Sequence, residues 1–147
     1  MKGIIYYSLL SILLILISCS SGEKKKSAND FEKKFYDHPG IGPVTELKLE
    51  DKIDWNMVAQ GENSFKAKCM SCHIMSDEKM IGPGLKGVTK RRRPEWIMNQ
   101  MLNPVQNVKE DSLAKELYQI YQVQMTDMEL SSHEARQILE YFRSTEL

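Results

Sequence analysis

Apolar and polar positions along the chain fall into three unlike regions. Residues 4–17, IIYYSLLSILLILI, are almost wholly apolar and follow a single positive charge at Lys2. This run is shorter than the ~20 helical residues needed to span a bilayer core and fits the apolar segment of a signal peptide. Polar, small and charged residues then dominate 20–30, SSGEKKKSAND, the pattern of a flexible tether. From Asp54 onward helical spacing takes over. Asp54 is an N-cap for a helix over about 55–69, with Trp55, Val58, Glu62 and Phe65 at steps of three and four and Gly61 on the same side. A second helix starts at Pro94, with Met98, Met101, Leu102 and Val105 in its stripe, and Asn103-Pro104 interrupts it. A third covers about 110–122, with Leu113, Leu117, Ile120 and Tyr121 on one face. The last begins at Ser131, where Ser131 and Glu134 form a capping box, and continues with Ala135, Ile138, Leu139 and Phe142 as its apolar stripe.

These patterns predict an all-α fold of about four helices and a division into 1–18 as signal peptide, 19–50 as tether and irregular segment, and 51–147 as the folded domain. Residues 31–53 are the hardest to read: HPGIGPV is irregular, and TELKLEDKI alternates too briefly to assign a strand. A tether of this length reaches on the order of 30 Å. Between the first two long helices, IGPGLKGVTKRRR carries three glycines and a proline, the composition of a tight loop with close backbone approach.

Composition narrows the function classes. The 147 residues hold 20 basic and 20 acidic side chains, for zero formal net charge, which argues against a general nucleic-acid binder. No period of 20–50 residues repeats, which argues against a solenoid or propeller. Cysteine is scarce, three in all. One of them, Cys19, closes LISC (Leu16–Cys19) at the end of the apolar run, a stretch that resembles the bacterial lipobox. The resemblance implies cleavage after Ser18 and lipidation of Cys19. The domain would then be exported and held at a membrane surface in the cell envelope, facing the periplasm. Either leaflet system, inner or outer membrane, is compatible with this.

Cys69 and Cys72 remain, three apart, with His73 directly after them. Three chemistries use such residues. Structural zinc wants four ligands, and His38 and His133 lack zinc-finger spacing. A thioredoxin-like dithiol expects a strand before it and a βαβ unit around it, whereas a helix precedes this pair and a glycine loop follows. In C-x-x-C-H the two thiols match the separation of the two porphyrin vinyl groups, and the histidine that follows can reach the iron. Covalent haem c attachment through Cys69 and Cys72, with His73 as an axial ligand, is therefore the expectation. For the sixth position, Met98 and Met101 sit on an apolar helix face, and Met75 and Met80 stand too close to His73. Met125 and Met128, in a loop ahead of the last helix, are the better prospects.

From about Asp54 to Leu147 the chain resembles the class I monohaem cytochromes c. Gly61, Phe65 and Cys69 match the family's first helix, with its glycine, aromatic and first cysteine at steps of four. Ile138 and Tyr141 match the aliphatic and aromatic pair of the last helix that crosses that glycine. Gly82-Pro83-Gly84-Leu85 matches the Gly-Pro-x-Leu segment. The resemblance implies that the Pro83 carbonyl accepts the free ring nitrogen of His73, that Trp96 reaches a haem propionate, and that Met125, six residues before Ser131, is the sixth ligand in preference to Met128. It also implies a monomeric single-electron carrier, not an enzyme, passing electrons between membrane-bound and periplasmic proteins. KRRRPEWIMNQMLNP resembles small cytochromes associated with respiratory reductases, including nitrous oxide reduction. Arg91, Arg92 and Arg93 read either as a solvated loop with an arginine near a propionate or as a docking patch for an acidic redox partner. A haem-based sensor with an open or labile sixth site is the main alternative function, and a zinc or thiol–disulfide protein the other.

Overall fold

The computed structural model describes residues 38–147. The expected signal segment, Cys19 and the tether up to residue 37 lie outside these residues. Among the described residues there are six helices and no strand: α1 (Trp55–Lys68), α2 (Val88–Arg91), α3 (Pro94–Leu102), α4 (Pro104–Glu110), α5 (Ser112–Tyr121) and α6 (Ser132–Ser144). The four expected helices are α1, α3, α5 and α6. The two additions are short. α2 is a single turn entered through Gly87 at φ +69°. α4 arises because Pro104, without an amide hydrogen, ends one helix and opens the next at its N1 position.

Local chemistry sets the ends. The Asp54 carboxylate accepts from the backbone N–H groups of Asn56 (2.9 Å) and Met57 (3.1 Å), starting α1. Asp111 does the same for α5 through Ala114 N–H at 2.7 Å. At α6 the capping box is complete: the Ser131 hydroxyl accepts from Glu134 N–H, and the Glu134 carboxylate accepts from Ser131 N–H.

α1 packs most extensively on α6, α3 also rests on α6, and α4 joins α3 to α5. The α1–α6 contact is set by Gly61, where a Cβ would lie 2.0 Å from the Gln137 carbonyl oxygen. Phe65, one turn along, is buried between Tyr141 and Phe142, with ring centroids 5.6 and 5.7 Å away. Ile138, Leu139 and Ala135 are fully buried, as the stripe predicts. Three positions depart from their expected faces, and one of them, Val105, is exposed because it falls in α4, beyond the break at Pro104. Trp55, at the first position of α1, is 64% exposed, because it precedes the turns that meet α6. Ile120 is 57% exposed, since the C-terminal end of α5 turns Leu117, Tyr118 and Tyr121 toward an open cleft instead.

Residues 39–50 have no regular structure, yet they are strapped along α3 and α4. The buried Asn99 amide donates to the Pro39 and Val44 carbonyls (3.0 and 2.8 Å) and accepts from Val44 N–H (2.9 Å). Buried Asn107 accepts from Ile41 N–H (3.0 Å) and donates to the Ile41 carbonyl (2.9 Å). Leu47 and Leu49 pack against the core, and the Arg143 guanidinium donates to the Glu50 carbonyl.

Candidate functional site

α1 ends at Cys69, and the chain turns at once. The amides of Cys72 and His73 both donate to the Cys69 carbonyl, at 3.0 and 2.9 Å. This turn places the two thiols and the imidazole on the wall of one cleft of about 540 Å³. That size lies in the ~300–1,000 Å³ range of cofactor sites. Apolar side chains from four other parts of the fold complete the wall: Leu85 from the glycine loop, Ile97 and Met101 from α3, Leu117 from α5 and Phe142 from α6. Burial above all, together with Cys72, pushes the Cys69 thiol pKa up, while Lys68 offsets part of that effect.

The glycine loop is tied to the cysteine turn. Gly82 N–H donates to the Cys72 carbonyl and Leu85 N–H to the Ile74 carbonyl, each at 2.9 Å. His73 Nδ1 stands 2.9 Å from the Pro83 carbonyl oxygen. A carbonyl only accepts, so Nδ1 carries the proton and Nε2 keeps its lone pair for a metal. Gly82 makes room for this ring, since a Cβ there would lie 2.5 Å from His73 Cε1. Gly84 makes room for the loop itself, where a Cβ would meet the carbonyl oxygens of Ser76 and Glu78.

Met125 and Met128 both border the cleft, and of the two Met125 packs against the buried core. Its sulfur accepts from Gln100 Nε2 at 3.7 Å. Trp96 is buried on the cleft wall, but its indole N–H donates to Asp111 at 3.3 Å, so a propionate contact requires that bond to be exchanged. The arginine run is engaged within the fold. Arg91 donates to the Lys86 carbonyl, Arg92 lies over the Trp96 ring at 5.8 Å, and Arg93 pairs with Glu95 at 3.1 Å. Arg91 and Arg92 line the cleft. Sequence reasoning missed Gln100, Asn99, Asn107 and Asp111. Asn99 left a signal, a polar residue inside the apolar run of α3, and Asp111 another, a cap residue ahead of α5.

The donor set fits a covalently held haem. It comprises two thiols, an imidazole with its tautomer fixed, and a thioether, all on an apolar cleft of suitable size. Among the described residues, no group of three or more His, Cys, Asp or Glu side chains is placed to hold a metal ion between them.

Comparisons with known proteins agree with this chemistry. The cytochrome c family model matches residues 58–146. A solved cytochrome c from Rhodothermus marinus is 47% identical, with TM-score 0.69, over 71% of this chain and 90% of that one. An engineered form of the Rhodothermus marinus protein, bound to a carbene intermediate, is 44% identical with TM-score 0.66 over the same shares. No match was found among curated proteins. An all-helical fold built around a C-x-x-C-H turn, matched by the family over most of the folded region, shows that the chain belongs to the cytochrome c family and carries a covalently attached haem c.

Proposed function

We propose that this chain is a lipid-anchored single-electron carrier in which Cys69 and Cys72 hold the haem by thioether bonds and His73 and Met125 are its axial ligands. The observation that carries this reading is that one cleft is lined by both thiols, His73 and Met125. The bound haem supplies a centre that alternates between ferrous and ferric iron. The Pro83 carbonyl keeps the proton on His73 Nδ1 and raises the basicity of Nε2. The Met125 thioether, a soft neutral donor, favours the reduced state. Apolar walls from α3, α5 and α6 exclude water and so limit the reorganisation that accompanies a change of charge. Arg91 and Arg92 provide positive charge at the cleft for the propionates, while Trp96 serves as a flat apolar wall.

Lipidation of Cys19 would place the domain outside the cytoplasm, free to swing between a membrane-bound donor and a periplasmic acceptor. A terminal reductase, nitrous oxide reductase among them, is the acceptor class favoured by the resemblance of residues 90–104 to small respiratory cytochromes. Among the described residues, no helix is long and apolar enough to cross a membrane.

A pyridine haemochrome assay tests attachment, and absence of the haem c spectrum overturns the reading. Met125→Ala and Met128→Ala test ligation. The Met–iron charge-transfer band of the oxidised protein should vanish in the first and persist in the second. A band missing from the unmodified protein, with rapid CO binding on reduction, would make it a haem sensor instead.

A further inference from the structure

α3 turns Trp96, Ile97, Gln100 and Met101 toward the cleft, and of these Gln100 alone has a polar side chain of hydrogen-bonding amide type. Its Nε2 lies 3.7 Å from the Met125 sulfur. The orientation of that amide follows from chemistry, because a thioether sulfur accepts and does not donate. The other end, Gln100 Oε1, is buried and has no hydrogen-bond partner among the described residues. The Met125 sulfur is the one hydrogen-bond partner of the Gln100 side chain among the described residues.

The segment that carries Met125 needs such a contact. Residues 122–131 have no regular structure, and both Gln122 and Glu129 stand at positive φ, +57° and +51°. Among the described residues, no other hydrogen bond links 123–128 to a helix.

We propose that Gln100 is a positioning residue for Met125. Its amide holds the thioether in place and, by drawing electron density from the sulfur, raises the midpoint potential of the centre. This rests on Met125 being the sixth ligand. A less electron-rich sulfur stabilises ferric iron less than ferrous, so loss of the donor lowers the potential.

The test compares four purified holoproteins: unmodified, Gln100→Leu, Met125→Ala and the double variant. Gln100→Leu should lower the midpoint potential and raise the affinity of the oxidised protein for imidazole at least threefold. It should leave haem content unchanged and not lower the thermal midpoint. In the Met125→Ala background the same substitution should change neither potential nor imidazole affinity. Equal potentials and affinities for Gln100→Leu and the unmodified protein overturn the proposal, as do equal shifts in both backgrounds. If Met125→Ala keeps the charge-transfer band, the ligand assignment itself fails. If that band is lost while Gln100→Leu is silent, only the role of Gln100 fails. A measurement without substitution stands beside these. In the reduced unmodified protein, the Gln100 side-chain amide protons should show a nuclear Overhauser contact to the Met125 methyl, and its absence overturns the proposal.

Discussion

Gly61 of α1 faces the Gln137 carbonyl of α6 so closely that a Cβ would lie 2.0 Å from the oxygen and 2.9 Å from the Ile138 nitrogen. Both neighbours are backbone, so no rotamer change relieves the clash. Helix propensity by itself favours alanine over glycine by ~1 kcal/mol. Overpacking opposes it by ~1–3 kcal/mol or more. Gly61→Ala should therefore destabilise the holoprotein by about 2 kcal/mol, read from chemical denaturation. A neutral or stabilising result would mean that α1 and α6 can separate without loss.

The His73–Pro83 hydrogen bond is maintained by a neighbouring glycine. Alanine at Gly82 would place its Cβ 2.5 Å from His73 Cε1 and 2.9 Å from Nδ1. The ring must turn or the loop must lift, and either weakens the bond to the Pro83 carbonyl. Gly82→Ala should lower the midpoint potential or broaden the ferric spectrum into more than one species, with about 1–3 kcal/mol lost in stability. Spectroelectrochemistry alongside denaturation checks both. An unchanged spectrum would show that the imidazole is held without the loop.

Two buried asparagines fasten the strap. Asn99 makes hydrogen bonds to Pro39 and Val44 through both ends of its amide, and Asn107 bonds Ile41 and also the carbonyls of Asn99 and Asn103. Replacing Asn99 by Leu strands the Val44 N–H and the Pro39 and Val44 carbonyls of the strap, at ~1–3 kcal/mol for each group left buried and unpaired. The expected outcome is a loss on the order of 3 kcal/mol and faster hydrogen exchange at Val44, with Ile41 less affected because Asn107 still holds it. Exchange at Val44 unchanged by Asn99→Leu would show that the strap is held by Leu47 and Leu49 alone.

How much of this was readable in advance depended on whether an interaction is local. The caps at Asp54 and Ser131, the stripe of α6 and the C-x-x-C-H turn are all set by residues within a few positions, and they stand where spacing places them. The Gly61 register was readable through family resemblance, not through periodicity. α2 and α4 escaped notice because each is too short for helical periodicity to register, and a proline or left-handed glycine starts them. The strap escaped because its partners, Asn99 and Asn107, lie some 55 to 66 residues away in sequence. Gln100 was hidden for a related reason: within PEWIMNQML a glutamine is an ordinary helix former, and only the fold brings Met125 to it.

Two carboxylates of α6 make its contribution to stability depend on pH. Burial alone would raise the Glu140 pKa. The Asp54 N–H, Arg136 and Arg143 outweigh it and hold this carboxyl below the usual range. Arg136 and Arg143 approach it at 2.5 and 2.8 Å. Glu134, on the same helix, is lowered to about 2 by the Ser131 N–H, Lys68 and the Ser131 hydroxyl. In both groups the folded pKa lies below the unfolded one. Each therefore stabilises fully above its ordinary value of 4.5 and loses that contribution as pH falls through the folded value. Glu140→Gln should cost about 3–5 kcal/mol at pH 7, because it leaves two largely buried guanidinium groups without their carboxylate. That gap in Tm between variant and parent should narrow as pH falls below 4.5 toward the folded value, where the folded parent protonates the same carboxyl. A gap that stays constant from pH 7 down to pH 2.5 would show that Glu140 contributes through packing instead of charge.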